Sequence, residues 1–160
     1  MFKILDDHLE EGVLVLLMAA MSLLIVAQIF MRYVMQASLT WSEELARYLF
    51  VWATYIGVAY GVKKHAHVCV EVAVMLLPAR VKQVVYLLAQ LVFLLFAVLV
   101  VYEGFRLSVR IFGFGQTSPA LGMPMGYLYL APTVGFALVF LRLLQNIASG
   151  VRRLRQGEAT

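Results

Sequence analysis

Charged residues cluster in short stretches, separated by long apolar intervals. Gly12 to Met31 carries no charge, which matches the roughly 20 apolar residues a helix needs to cross about 30 Å of hydrocarbon. Gln83 to Tyr102 is a second uncharged run. Tyr48 to Val62 is a third, slightly short alone but long enough if its helix begins upstream near Trp41. Ile111 to Leu141 is too long for one span and is interrupted by Pro119, Pro124 and Pro132. Its second half, from about Met125 to Leu144, predicts a fourth helix, and its first half a loop. The predicted fold class is therefore all-α, a polytopic membrane protein of four transmembrane helices with spans at about 12–32, 41–62, 82–103 and 125–145. The chain reads as one membrane domain over 1–160 with a basic tail at 146–160, and it shows no internal repeat.

The boundaries of these helices carry local signals. In Thr40-Trp41-Ser42-Glu43, Thr40 can cap a helix N-terminus while Glu43 reaches back to the cap's own N–H. Glu43 and Arg47 are four apart and can pair on the helix face. Deeper in the same helix Ala53, Gly57 and Gly61 form a small-residue stripe of the kind that lets another helix approach closely in lipid. The third helix can begin after Pro78 and run on to Arg110, a length of about 45 Å that requires tilt or protrusion. Gly113-Phe114-Gly115 then breaks it. Pro132 predicts either a kink in the fourth helix or its late start.

Composition agrees with this pattern, since 63% of residues are hydrophobic and 14% charged, whereas soluble domains carry about a quarter charged residues. Asp6, Asp7, Glu10 and Glu11 precede the first span, unlike the basic start of a cleaved secretory signal, so this helix is expected to be retained. The distribution of Lys and Arg sets the orientation. Lys3, Lys63, Lys64, Arg80, Lys82, Arg142, Arg152, Arg153 and Arg155 fall on one side, and Arg32, Arg47, Arg106 and Arg110 on the other. The first, richer side predicts cytoplasmic N- and C-termini. The net charge of +4 is accounted for by this topology, and no basic groove with interleaved aromatics points to nucleic acid. Cys69 is the single cysteine, which excludes an intrachain disulfide.

Chemistry within the spans is sparse. A carrier that moves charged solutes unaided needs ionisable groups or broken helices near the bilayer midplane, but the polar residues there are Gln28, Thr54, Gln90 and Thr133, none charged. Each has a plain use as a hydrogen-bonding group between helices. The first span holds no carboxylate of the type a proton-coupled small exporter requires. His65, His67 and Glu71 are the one cluster that could ligate a metal, beside Lys63 and Lys64 in a loop, where a solvated surface is the simpler account. Tyr33, Trp41, Tyr127 and Tyr129 fall at headgroup level, where amphipathic rings anchor helices. Trp52 and Tyr55 lie deeper and need partners for their polar atoms.

Arg32-Tyr33, Trp41-Ser-Glu-Glu-Leu-Ala-Arg47, Trp52, Gly57 and the Lys-His-Ala-His67 stretch resemble the small membrane subunit of the tripartite ATP-independent periplasmic (TRAP) transporters. Ser118-Pro119-Ala120-Leu121, Pro124, Tyr129, Pro132, Gly135 and Arg142 are similar to that family's C-terminal pattern, so the resemblance spans nearly the whole chain. It implies a multi-pass subunit of a bacterial inner-membrane secondary uptake system for organic anions such as carboxylates or sialic acids. In such a system a large TRAP permease subunit translocates the solute and a periplasmic solute-binding protein delivers it. The small subunit would act as a scaffold in stable complex with the large one and in contact with lipid, with no catalytic, substrate-binding or metal residue and no cofactor. Trp41, Glu43, Glu44, Arg47, Tyr48, Trp52, Ala53, Gly57 and Gly61 are then the candidate subunit-interface or membrane-anchoring residues. A self-contained homo-oligomeric carrier or channel is the alternative, and a metalloenzyme using His67 and Glu71 a more distant one.

Overall fold

The computed structural model describes residues 2–64 and 78–155. These residues form four α-helices: α1 (Phe2–Tyr33), α2 (Thr40–Lys63), α3 (Ala79–Gly113) and α4 (Gly126–Arg155). Each contains a stretch long and apolar enough to cross a membrane, at Glu10–Tyr33, Thr40–Lys63, Leu88–Gly113 and Gly126–Ile147. In lipid a helix is favoured because it satisfies every backbone N–H and C=O internally. With 35 residues, α3 is about 52 Å long, well beyond the thickness of the hydrocarbon. It ends where Gly113 leads into Gly115, whose φ of +62° suits a residue without a Cβ.

Two local expectations are revised. The capping box before α2 does not form. Leu39 occupies the cap position with no side-chain hydrogen bond, and Ser42 Oγ instead donates to the Leu39 carbonyl at 2.8 Å. The predicted Glu43–Arg47 pair is also absent, because the two side chains are exposed without a hydrogen bond or ion pair among the described residues. Pro132 lies inside α4 rather than at its start, where its missing N–H frees the carbonyl one turn upstream.

The helices pack chiefly as α1 on α2, α2 on α4 and α4 on α3. This order is a row rather than a closed four-helix bundle, and it sets α2 and α4 side by side and parallel. Lipid supplies no hydrophobic drive for association, so close packing must hold the row together. At its centre Ala59 and Val62 of α2, Ala97 of α3, and Phe136, Val139 and Leu143 of α4 are buried together. Phe136 meets Tyr55 edge-on at 6.2 Å and Phe96 at 5.5 Å, bridging α2 and α3. Two backbones come close at Gly135, where a Cβ would stand 2.6 Å from Tyr55 Cβ and 2.8 Å from its carbonyl oxygen. Only glycine fits between these two backbones. α1 and α3, at the ends of the row, expose apolar side chains over most of their length, including Leu16, Leu23 and Val26 on α1 and Leu88, Val92 and Leu95 on α3.

Candidate functional site

Polar side chains gather at the two levels where the helices begin and end. At the end where the chain termini lie, Glu10 and Arg142 are buried, and Arg142 Nε donates to Glu10 Oε1 at 2.8 Å. Arg142 Nη1 also donates to Gln145 Oε1 at 2.8 Å. Glu10 Oε2 accepts no hydrogen bond but faces Lys63 Nζ at 4.0 Å. Alongside, Asn146 Nδ2 donates to the Val62 carbonyl at 3.3 Å. The cluster ties α1, α2 and α4 at one level.

At the opposite end, Glu44 of α2 holds the connection between α3 and α4. Its Oε2 accepts the Ala120 N–H at 2.8 Å and the Leu121 N–H at 3.1 Å, while Oε1 accepts the Tyr48 hydroxyl at 3.1 Å. The loop is pre-shaped for this contact. Ser118 N–H donates to the Met123 carbonyl, Gly122 N–H to the Ser118 carbonyl and Met125 N–H to the Gln116 carbonyl, at 2.8, 3.0 and 2.9 Å. Gly122 takes a φ of +66°, which opens the tight return to a residue without a side chain. Below the loop, buried Ser108 of α3 donates to the Gly126 carbonyl at 3.1 Å, covering an acceptor in the first turn of α4.

Glu44 and Lys63 are nineteen residues apart on α2, about 28 Å along the helix axis. That separation matches the hydrocarbon thickness of about 30 Å, so the two clusters mark the membrane edges. Between them the described hydroxyls that form hydrogen bonds serve their own helices, as with Thr54 to the Phe50 carbonyl and Ser22 to the Met18 carbonyl. Thr133 Oγ1 is buried without a partner, against Gly104.

The candidate residues of α2 divide by location. Tyr48 and Ala53 are buried within the chain. Glu44, Trp52, Gly57 and Gly61 are partly exposed, and Trp41, Glu43 and Arg47 are exposed. A Cβ at Gly57 would meet Leu14 of α1 at an ordinary 3.9 Å, and one at Gly61 would meet nothing within 4 Å. His65, His67, Glu71 and Cys69 lie outside the described residues. Sequence reasoning missed Glu10 and Arg142 as partners. The signal available was an acid just before one span and an arginine inside the last apolar run, but nothing in their spacing shows that they meet. Gly135 was quoted only as part of a pattern, not as a close helix contact.

Replacing Glu44 with alanine should release the loop. The Glu44 carboxylate is the shared acceptor of two loop amides, and alanine offers none. Hydrogen exchange should then lose protection at the Ala120 and Leu121 amides, whereas Glu43→Ala leaves both unchanged. Equal effects of the two substitutions would contradict this assignment.

Four apolar helices tied at both membrane edges by polar groups that serve assembly define a small multi-pass membrane protein. The chain belongs to the family described as tripartite ATP-independent periplasmic transporters, DctQ component, whose model matches residues 21–153. It is thus a multi-pass inner-membrane protein of the TRAP small permease type. It is 32% identical over 154 residues to the isethionate TRAP transporter permease protein DctMQ of Oleidesulfovibrio alaskensis, covering 92% of this chain and 24% of that one. Over 116 residues it is 34% identical to the C4-dicarboxylate TRAP transporter small permease protein DctQ of Rhodobacter capsulatus, 72% of this chain and 51% of that one. It is 28% identical over 147 residues to the sialic acid TRAP transporter small permease protein SiaQ of Vibrio cholerae, 92% and 84% of the respective chains. The chain thus spans only about a quarter of the first relative and half of the second. Both stretches that carried the family resemblance meet in one contact, since Glu44 belongs to the first and Ala120 and Leu121 to the second.

Proposed function

We propose that this chain is the scaffold subunit of a TRAP-type secondary uptake system for small organic anions. It holds a large membrane subunit that binds and translocates the solute, while a periplasmic binding protein delivers that solute. The observation that carries this reading is the row itself. Helices packed in the order α1, α2, α4, α3 present two open faces, and the charged groups of the two clusters are engaged at the membrane edges rather than along a path. The names of the relatives, for isethionate, C4-dicarboxylates and sialic acid, support a small organic anion, of the carboxylate or sialic acid type among others. The long relative, of which this chain matches a quarter, supports a stable association with a larger permease. The scaffold needs no catalytic residue and no cofactor of its own. The excess of Lys and Arg on the termini side supports a cytoplasmic location for the Glu10 cluster.

Proteoliposomes test the reading. The purified chain alone should give no solute uptake and no conductance, and the large subunit without it should be inactive or unstable. The two together with the binding protein should restore uptake. Uptake by this chain alone would overturn the scaffold role in favour of a homo-oligomeric carrier. In the same vesicles, an impermeant thiol reagent should reach a cysteine appended at the C-terminus only from the cytoplasmic side.

A further inference from the structure

On α2, Glu43, Arg47, Phe50, Thr54, Gly57 and Gly61 follow one another at intervals of four, three, four, three and four residues. The four-three alternation repeats every seven residues, as in a seam that receives one neighbouring helix along its whole length. The described residues do not fill it. Glu43, Arg47, Phe50 and Thr54 are exposed, Gly61 opens onto empty space, and Gly57 meets only the tip of Leu14. The seam is also unlike the other open faces. Those of α1 and α3 are mainly apolar, with the exposed charges Glu103 and Arg106 of α3 paired to each other, whereas α2 is the least apolar of the four spans and packs between α1 and α4. Its seam grades from a carboxylate and a guanidinium with no hydrogen bond or ion pair among the described residues, through Phe50 and Thr54, to two glycines.

We propose that this seam is the docking groove for one transmembrane helix of the large subunit, an inference that rests on the scaffold reading above. The partner helix carries charges complementary to Glu43 and Arg47 at the Glu44 edge of the membrane. It closes most tightly on Gly57 and Gly61 at the Lys63 edge, where the absence of side chains lets two backbones approach. Charge complementarity at one end sets the register and depth of the partner, and close packing at the other supplies attraction where lipid offers none. The candidate stripe of Ala53, Gly57 and Gly61 is thereby redrawn. Ala53 faces inward, and Phe50 and Thr54 take its place.

The test uses the complete chain co-expressed with its large subunit. Thr54→Phe and Gly61→Phe fill open space, so the isolated chain should keep its helicity and elution volume, but recovery of the complex should fall at least about tenfold, equivalent to ~1.4 kcal/mol. Exchanging the charges, Glu43→Arg with Arg47→Glu, preserves net charge and should also weaken the complex, which merely solvated charges would not do. Val134→Phe, on the exposed side of α4, should leave recovery unchanged. As a readout that does not depend on tolerance of bulk, a photoreactive probe on Thr54→Cys in a Cys69→Ser background should cross-link the large subunit, and one on Val134→Cys should not. Wild-type recovery of all seam variants, or probe capture only at Val134, overturns the groove and leaves the scaffold reading standing. Cross-linking of Thr54→Cys to a second copy of this chain overturns the choice of partner. Failure of the wild-type chain to recover any large subunit overturns the scaffold reading, and the groove with it.

Discussion

Replacing Glu10 with alanine should destabilise the isolated chain in detergent by about 3–5 kcal/mol, the usual cost of removing one partner of a buried ion pair. The carboxylate faces the guanidinium of Arg142 at 2.8 Å and the Lys63 ammonium at 4.0 Å. Its loss removes the carboxylate that the buried Arg142 Nε donates to. The row would open at this level, because the cluster is where α1 reaches α4. The converse substitution, Arg142→Ala, strands Glu10 in the same way, although Lys63 compensates it in part. A Glu10→Met and Arg142→Met double variant should be less destabilised than either alanine variant, since well-packed apolar side chains often replace a buried ion pair at little cost. Thermal or denaturant unfolding reads both effects. A Glu10→Ala chain within about 0.5 kcal/mol of wild type, the range of an inconsequential surface change, would show that the cluster does not hold the helices together.

The second large effect is expected at Gly135. Leucine there would drive its Cβ against Tyr55 Cβ, C and O, all within 2.9 Å. Two of those atoms belong to the backbone of α2, so no rotamer change relieves the clash and the two helices must separate. Overpacking costs about 1–3 kcal/mol where side chains can adjust, and backbone contact puts this case at or above the upper end. Separation would also pull Phe136 from its contacts with Tyr55 and Phe96. Gly61→Ala in the same isolated chain meets open space and should be neutral or slightly stabilising, since alanine is the better helix former. Equal unfolding behaviour of the two variants would remove Gly135 from its place as the close contact of α2 and α4.

The contrast between these glycines shows what could be seen in the sequence. Gly57 and Gly61 announce themselves by regular spacing, yet among the described residues Gly57 makes only an ordinary contact with Leu14 and Gly61 none within 4 Å. Gly135 has no such signature and lies where two backbones meet. Spacing along one helix reveals that a face is narrow, but not which neighbour comes to it. The same holds for the acids of α2. Glu43 and Glu44 are adjacent and chemically similar, and the pairing expected for Glu43 does not form. One residue is a rotation of about 100° around a helix. That rotation turns Glu44 toward the loop at Ala120 and Leu121 and leaves Glu43 in the open. Arg142 was counted among the charges of the termini side, which described its level in the membrane but not its partner 132 residues away.

The sequence by itself determined that the chain forms four membrane-crossing helices, where each approximately begins and ends, and that a proline- and glycine-bounded loop joins the last two. These are local properties. Apolar length must match the hydrocarbon, and backbone groups in lipid must be satisfied within the helix. The family resemblance was legible for the same reason, as residue types at fixed spacings. The tertiary structure alone decided that the helices stand in the order α1, α2, α4, α3, that Glu10 meets Arg142 and Glu44 meets the loop, and that the described residues leave one seam of α2 uncovered. Those outcomes depend on which faces of different helices meet. In a bilayer, where apolar faces gain little from leaving lipid, that choice rests on a few close backbone contacts and ion pairs distant in sequence.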